Sequence, residues 1–105
     1  MKHYHIEFMP TAKVGLLEIG EFIALDNPKR AISFVKELTL SLRKTLSTFP
    51  LSGKIAQDLE LDQEIRVWSH GNYNSYYRVL EDKEIIEVLF VFHGSRDVQS
   101  LIMGL

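Results

Sequence analysis

Between residues 11 and 50 the chain carries two runs of apolar side chains at helical spacing, interrupted once by Asp26-Asn27-Pro28. In the first run Ala12, Leu16, Ile19 and Ile23 recur at intervals of four, three and four. In the second, Ala31, Val35, Leu38, Leu42, Leu46 and Phe49 keep the spacing until Pro50, while Lys29, Arg30, Lys36, Glu37, Arg43 and Lys44 fall largely elsewhere. That period places the apolar residues on one face of each helix. Thr11, after Pro10, is expected to cap the first helix. Asn27 is expected to cap the second, with Pro28 at its first position, where no N–H is needed. So short a connection predicts an antiparallel helical hairpin. Its stripe needs cover, which this chain's own sheet is expected to supply in preference to a coiled-coil partner.

Strand patterns flank the hairpin. At residues 3–8, Tyr4, Ile6 and Phe8 alternate with His3, His5 and Glu7, the signature of a half-buried strand. His3 and His5 share a face but have no third ligand nearby, so a solvated strand is preferred over a zinc site. Residues 51–63 read as a loop, with Ser52-Gly53-Lys54 and then the acidic Asp58, Glu60, Asp62 and Glu64. Three strands follow at 65–68, 73–80 and 85–92, joined by turns at His70-Gly71-Asn72 and Glu81-Asp82-Lys83. The last strand is apolar on both faces apart from Glu87, which predicts a central strand covered on one side by the helices. The tail, with Val98, Leu101, Ile102, Met103 and Leu105, either closes the core edge or meets a partner. The expectation is one α+β domain over residues 1–105. In it an N-terminal strand, a helical hairpin and a three-stranded antiparallel meander (βααβββ) form one mainly antiparallel sheet with helices on one face.

Composition narrows the function. Of 105 residues 46% are hydrophobic and 25% charged, the balance of a globular chain that buries a core without staples. There is no cysteine, which removes disulfides, thiolate metal sites and cysteine nucleophiles. Residues 1–10 mix Lys2, His3, His5 and Glu7 into their apolar positions, unlike a signal peptide. The longest strictly apolar run, residues 88–92, is far below the ~20 that a membrane helix needs. A soluble cytoplasmic protein is expected. The net charge of −2 and pI near 6.1 are unlike a domain that holds nucleic acid by bulk electrostatics. The acidic excess lies in the second half, so phosphate binding there would need a few placed arginines. No Gly-rich phosphate loop, Walker motif, helical His pair or acidic metal cluster is present, and no cofactor or metal is expected.

The order of elements, taken with certain short motifs, resembles the RelE/ParE superfamily of bacterial toxins, and within it ParE. The motifs are Asp26-Asn27-Pro28, Phe49-Pro50-x-x-Gly53, Ile65-Arg66, Asn72-Tyr73, Tyr76-Tyr77-Arg78-Val79 and His93-Gly94-Ser95-Arg96-Asp97. The resemblance covers nearly the whole chain. It implies the toxin half of a type II toxin-antitoxin pair, neutralised by a small cognate antitoxin. RelE-like members cut messenger RNA on the ribosome, whereas ParE-like members are associated with inhibition of DNA gyrase.

Metal-free RNA cleavage needs a general base, an acid and several cations around one phosphate. If the chain were such a nuclease, Arg66, Arg78, His93 and Arg96 would be the candidates. Three departures from the RelE-like pattern weaken that reading: Glu64 stands where a basic residue is usual, Asn74 where an Arg follows the turn Tyr, and no Tyr follows Arg96. The ParE-like positions Arg66, Tyr73, Tyr77, Arg78, His93 and Arg96 are all present, and Arg66, Trp68, Tyr73, His93 and Arg96 are the candidate target-binding residues. Each has a structural alternative. Arg66, expected on the uncovered sheet face, could pair with Glu64 or Glu87, and Arg78 could brace the sheet against an acid. Tyr73, Tyr76 and Tyr77 could be cross-strand packing, His93 a strand-end residue, and Trp68 part of the core. The antitoxin is expected along the first helix and tail, at Leu16, Ile23, Leu25, Leu101 and Ile102, as a helix or an added strand. DNA gyrase is the expected target, the ribosome with messenger RNA the alternative, and no membrane is involved.

Overall fold

The computed structural model describes residues 2–57 and 63–96. In chain order it contains β1 (His5–Phe8), α1 (Pro10–Ala24), α2 (Pro28–Thr48), β2 (Lys54–Ile55), β3 (Arg66–His70), β4 (Tyr73–Leu80), a 3-10 turn (Glu81–Lys83) and β5 (Ile85–His93). The strands form one sheet in the order β1-β5-β4-β3-β2, antiparallel except where β1 runs parallel to β5. This is the α+β arrangement expected, with β5 inside the sheet and the helical hairpin on one face. The sheet has five strands, because Lys54 and Ile55 pair with Val67 and Arg66 inside the stretch read as a loop. A two-residue strand is too short to leave a periodic signal. The apolar tail, including Leu101 and Ile102, and the acidic positions 58, 60 and 62 lie outside the described residues.

The helix boundaries follow local chemistry, with one correction. Asn27 caps α2, its side chain accepting the Arg30 N–H at 3.1 Å, and Pro28 opens the helix. Thr11 does not cap α1. Pro10 already occupies the first helical position and Met9 the cap, whose carbonyl accepts from Ala12 and Lys13. The Thr11 hydroxyl instead donates to the Leu89 carbonyl at 2.5 Å. Leu89 is the extra residue of a bulge, since Tyr76 faces Phe90 while Tyr77 faces Val88. A side chain that could have capped a helix thus reaches the irregular point of the sheet. The β3–β4 turn is tighter than expected: β3 runs on to His70, and Gly71 takes the left-handed φ of +59° that glycine adopts without strain.

The core lies between hairpin and sheet. Leu38, Leu42 and Leu46 of α2 are fully buried, as are Tyr77, Ile86 and Val88 of the sheet. Each such aliphatic side chain contributes about 1.5–3 kcal/mol of transfer free energy. Tyr4 and Ile6 join this core from the N-terminal segment, as their alternation predicted. Arg43 covers the outer edge of β1, donating to the Ile6 carbonyl at 3.4 Å with its guanidinium 5.1 Å from the Phe8 ring centre. Helix α1 lies so close to β5 that a Cβ on Gly15 would sit 2.4 Å from the Val91 carbonyl oxygen. The other sheet face is also apolar: Ile65 and Tyr76 are buried there, with Ala56, Val67, Leu89, Phe90 and Phe92 packed around them.

That second apolar face explains the main correction. Arg66 alternates with Ile65 and Val67 as expected, but it points to the helix side. It stands opposite Tyr77, whose side chain belongs to the hairpin core, while Ile65 and Val67 belong to the open face.

Candidate functional site

The cationic residues singled out in the sequence do not converge. Arg66 is held under the corner that follows α2, donating from Nη1 to the carbonyls of Gly53 at 2.8 Å and Leu51 at 3.3 Å, with Glu64 3.3 Å from its Nε. Tyr77 completes the clasp, its hydroxyl donating to the Pro50 carbonyl at 2.7 Å and accepting the Gly53 N–H at 3.0 Å. Burial pushes the Tyr77 phenol above its ordinary value. Arg78 lies on the opposite face, paired with Glu87 at 2.5 Å and also donating to Gln63. Its partner Glu87 is largely buried, so this pair braces the open face.

His93, Arg96 and Tyr73 do come together. Tyr73 opens β4 directly opposite His93 at the end of β5, and their rings meet edge to face at 5.2 Å. Both line a cleft of about 490 Å³ with Ser95 and Arg96, against Gly15, Glu18, Ile19 and Phe22 of α1. The chain reverses there through Gly94, whose N–H donates to the Asn72 carbonyl at 2.7 Å. The His93 Nδ1 accepts the Ser95 N–H at 3.1 Å and lies 2.7 Å from the Ser95 hydroxyl. A backbone N–H can only donate, so the neutral ring carries its proton on Nε2. Arg96 stacks at 5.9 Å over Phe92. Its backbone N–H donates to the His93 carbonyl at 3.0 Å, but among the described residues its guanidinium makes no hydrogen bond or ion pair, whereas those of Arg30, Arg43, Arg66 and Arg78 each donate at least once.

An aromatic ledge runs from this cleft across the helix side of the sheet. Trp68 stacks on His70 at 5.8 Å, Phe34 of α2 touches His70 at 5.8 Å and Tyr73 at 5.2 Å, and Arg30 lies 5.3 Å over Phe34. Trp68 is half-buried and packs on the core beneath. Phe34, His70, Phe22 and Glu18 were not singled out from the sequence. For His70 the signal was its alternation with Arg66 and Trp68, obscured by reading it as part of the turn.

The outer side of the hairpin carries a second concavity of about 810 Å³, floored by Leu16, Leu17, Gly20, Ala31, Ile32 and Val35 and edged by Lys13, Glu21 and Lys36. Of the expected antitoxin residues, Leu16 lines this groove, Ile23 packs on the core, and Leu25 lies 84% exposed just past α1. Leu17 and Ile32, both more than 60% exposed, were missed because helical spacing reveals the stripe that faces the core and not a second one. Among the described residues no cluster of three His, Asp or Glu could hold a metal, and no helix is long and apolar enough to cross a membrane.

Comparison with solved structures shows where this fold recurs. The toxin-antitoxin complex RelBE2 from Mycobacterium tuberculosis contains a chain superposing with a TM-score of 0.67 at 23% identity, covering 89% of this chain and 93% of that one. The chromosomal ParDE system of P. aeruginosa gives 0.68 at 17% identity over 87% and 96%. The isolated E. coli RelE toxin gives 0.59 at 17% identity over 96% of both chains. A search of curated proteins found no match. Residues 6–98 match the family described as ParE toxin of type II toxin-antitoxin system, parDE, and the chain therefore belongs to the ParE toxin family.

Proposed function

We propose that this chain is the toxin of a type II toxin-antitoxin pair that acts by binding, with DNA gyrase as its target and a cognate antitoxin as its regulator. The observation that carries the reading is the dispersal of the cations. Cleaving RNA without a metal needs several of them around one phosphate. Arg66 is committed to the carbonyls of residues 51 and 53, Arg78 is paired on the opposite face, and Arg96 and His93 remain in the cleft. Tyr73, His93 and Arg96, with Trp68 on the adjoining ledge, form the target-binding surface. The antitoxin lays an amphipathic helix into the hairpin groove, its apolar side over Leu16, Leu17 and Ile32 and its acidic residues toward Lys13 and Lys36.

The test is induction in a bacterial host followed by a gyrase supercoiling assay with the purified chain. Growth arrest with loss of supercoiling, reversed by the antitoxin, is the expected result. Supercoiling left intact at concentrations that stop growth would remove gyrase as the target. Discrete new transcript ends on ribosome-bound message would replace the binding mechanism by the nuclease.

A further inference from the structure

We infer that the cleft between α1 and the end of β5 receives a carboxylate side chain, flanked by an apolar one, from an acidic segment of the target protein; this rests on the reading of the cleft as the target-binding surface. Two residues that line it carry side-chain donors without an acceptor among the described residues: the Tyr73 hydroxyl and the Nε2–H of His93, whose other nitrogen is occupied by Ser95. Arg96 also lines the cleft and brings a positive charge to its rim, its guanidinium lying over Phe92 with no acceptor among the described residues. Tyr73 and His93 are half-buried and hold each other edge to face, so these two donors are placed before any partner arrives. An anionic oxygen is the group that such a set satisfies best, because hydrogen bonds to a charged acceptor are roughly twice as strong as neutral ones.

The remainder of the cleft selects among anions. Ile19, Phe22 and Val91 form apolar walls that suit a side chain next to the acid. Glu18 stands on the α1 side of the same cleft and repels a polyanion. A nucleic-acid strand presents a negative charge at every step and needs a run of cations to match, whereas the cleft offers one arginine and a histidine opposite a glutamate. A single carboxylate fits this balance.

The cleft and the hairpin groove lie on opposite sides of α1. Gly15, Glu18, Ile19 and Phe22 face one, and Lys13, Leu16, Leu17, Gly20, Glu21 and Ala24 the other, about 180° apart at 100° per residue. A helix lying in the groove leaves the cleft open, so the acidic segment belongs to the target and not to that helix.

The experiment titrates the purified chain with three probes: acetyl-Leu-Glu-Leu-amide, its Gln counterpart, and a dithymidine monophosphate. The His93 ring and Arg96 Nε–H resonances are followed by NMR. The Glu peptide should shift both, about tenfold more tightly than the Gln peptide, and Arg96→Gln, an exposed substitution verified by circular dichroism, should abolish the difference. Equal binding of the two peptides, or shifts elsewhere on the surface, would overturn the inference. Tighter binding of the dinucleotide at these residues would give the cleft to nucleic acid instead. A second arm measures binding of gyrase subunits to wild type and Arg96→Glu. Loss of binding in the variant supports the inference, and unchanged binding overturns it. Absence of gyrase binding by wild type, with the Glu peptide still bound, refutes the target assignment and leaves the carboxylate site standing.

Discussion

Replacing Gly15 and Gly20 by alanine should move stability in opposite directions, although both lie in the middle of α1. Alanine is the better helix former by about 0.8–1 kcal/mol, so propensity alone predicts a gain at each. At Gly20 a Cβ would meet nothing closer than the Val35 side chain at 3.6 Å, an ordinary contact, and the gain should appear nearly in full. At Gly15 the new Cβ would sit 2.4 Å from the Val91 carbonyl oxygen. That oxygen belongs to the backbone of an interior strand and cannot rotate away, so α1 must lift off the sheet by close to 1 Å. Overpacking of this kind costs about 1–3 kcal/mol and occasionally more. With backbone as the obstacle the upper end applies, leaving Gly15→Ala a net ~2 kcal/mol less stable after the propensity gain. Urea unfolding of the purified variants, compared at a common m-value, reads both effects. The thermal midpoints should separate by roughly 10–20 °C, at about 4–8 °C per kcal/mol for a chain of this size. Gly15→Ala as stable as wild type would refute the close helix–sheet approach and, with it, the wall that α1 contributes to the cleft.

Other expectations follow from single contacts. Tyr77→Phe leaves the Pro50 carbonyl and Gly53 N–H without their shared partner and should cost about 1–3 kcal/mol, with faster amide exchange at Gly53. Because the folded state raises the Tyr77 pKa, its phenol stabilises fully below pH ~10 and loses that contribution as pH rises through the folded value. The wild type should therefore lose more stability than Tyr77→Phe in alkaline urea titrations. Asn27→Ala removes the α2 cap and should cost about 0.5–2 kcal/mol by chemical denaturation. Gly20→Leu projects into the hairpin groove and should weaken antitoxin binding, measured by calorimetry. Unaltered antitoxin affinity would place that partner elsewhere.

Local rules carried the sequence reading furthest. Asn27 and Pro28 announced a helix start because a cap involves only its neighbours, and the apolar spacing of residues 31–49 announced α2 because it repeats over five turns. Alternation in residues 4–8 identified the buried side of β1, and the near-continuous apolar run of β5 its interior place in the sheet. The ParE-like motifs likewise placed Tyr73, His93 and Arg96 among the candidates before any distance between them was known.

Tertiary structure decided what depends on distant partners. Alternation set Arg66 apart from Ile65 and Val67 but could not say which side the helices cover, because both faces of this sheet are apolar: the Leu38–Leu42–Leu46 side and the Tyr76–Phe90–Phe92 side look alike in one dimension. Pairing with Tyr77 turned Arg66 inward and made it a brace. The same long-range packing created β2 from two residues and directed the Thr11 hydroxyl from within α1 to the Leu89 bulge. It also gathered Tyr73, His93 and Arg96 against α1 across some 70 residues of chain. Periodicity records which side chains share a face; only the packing of faces determines which of them meet.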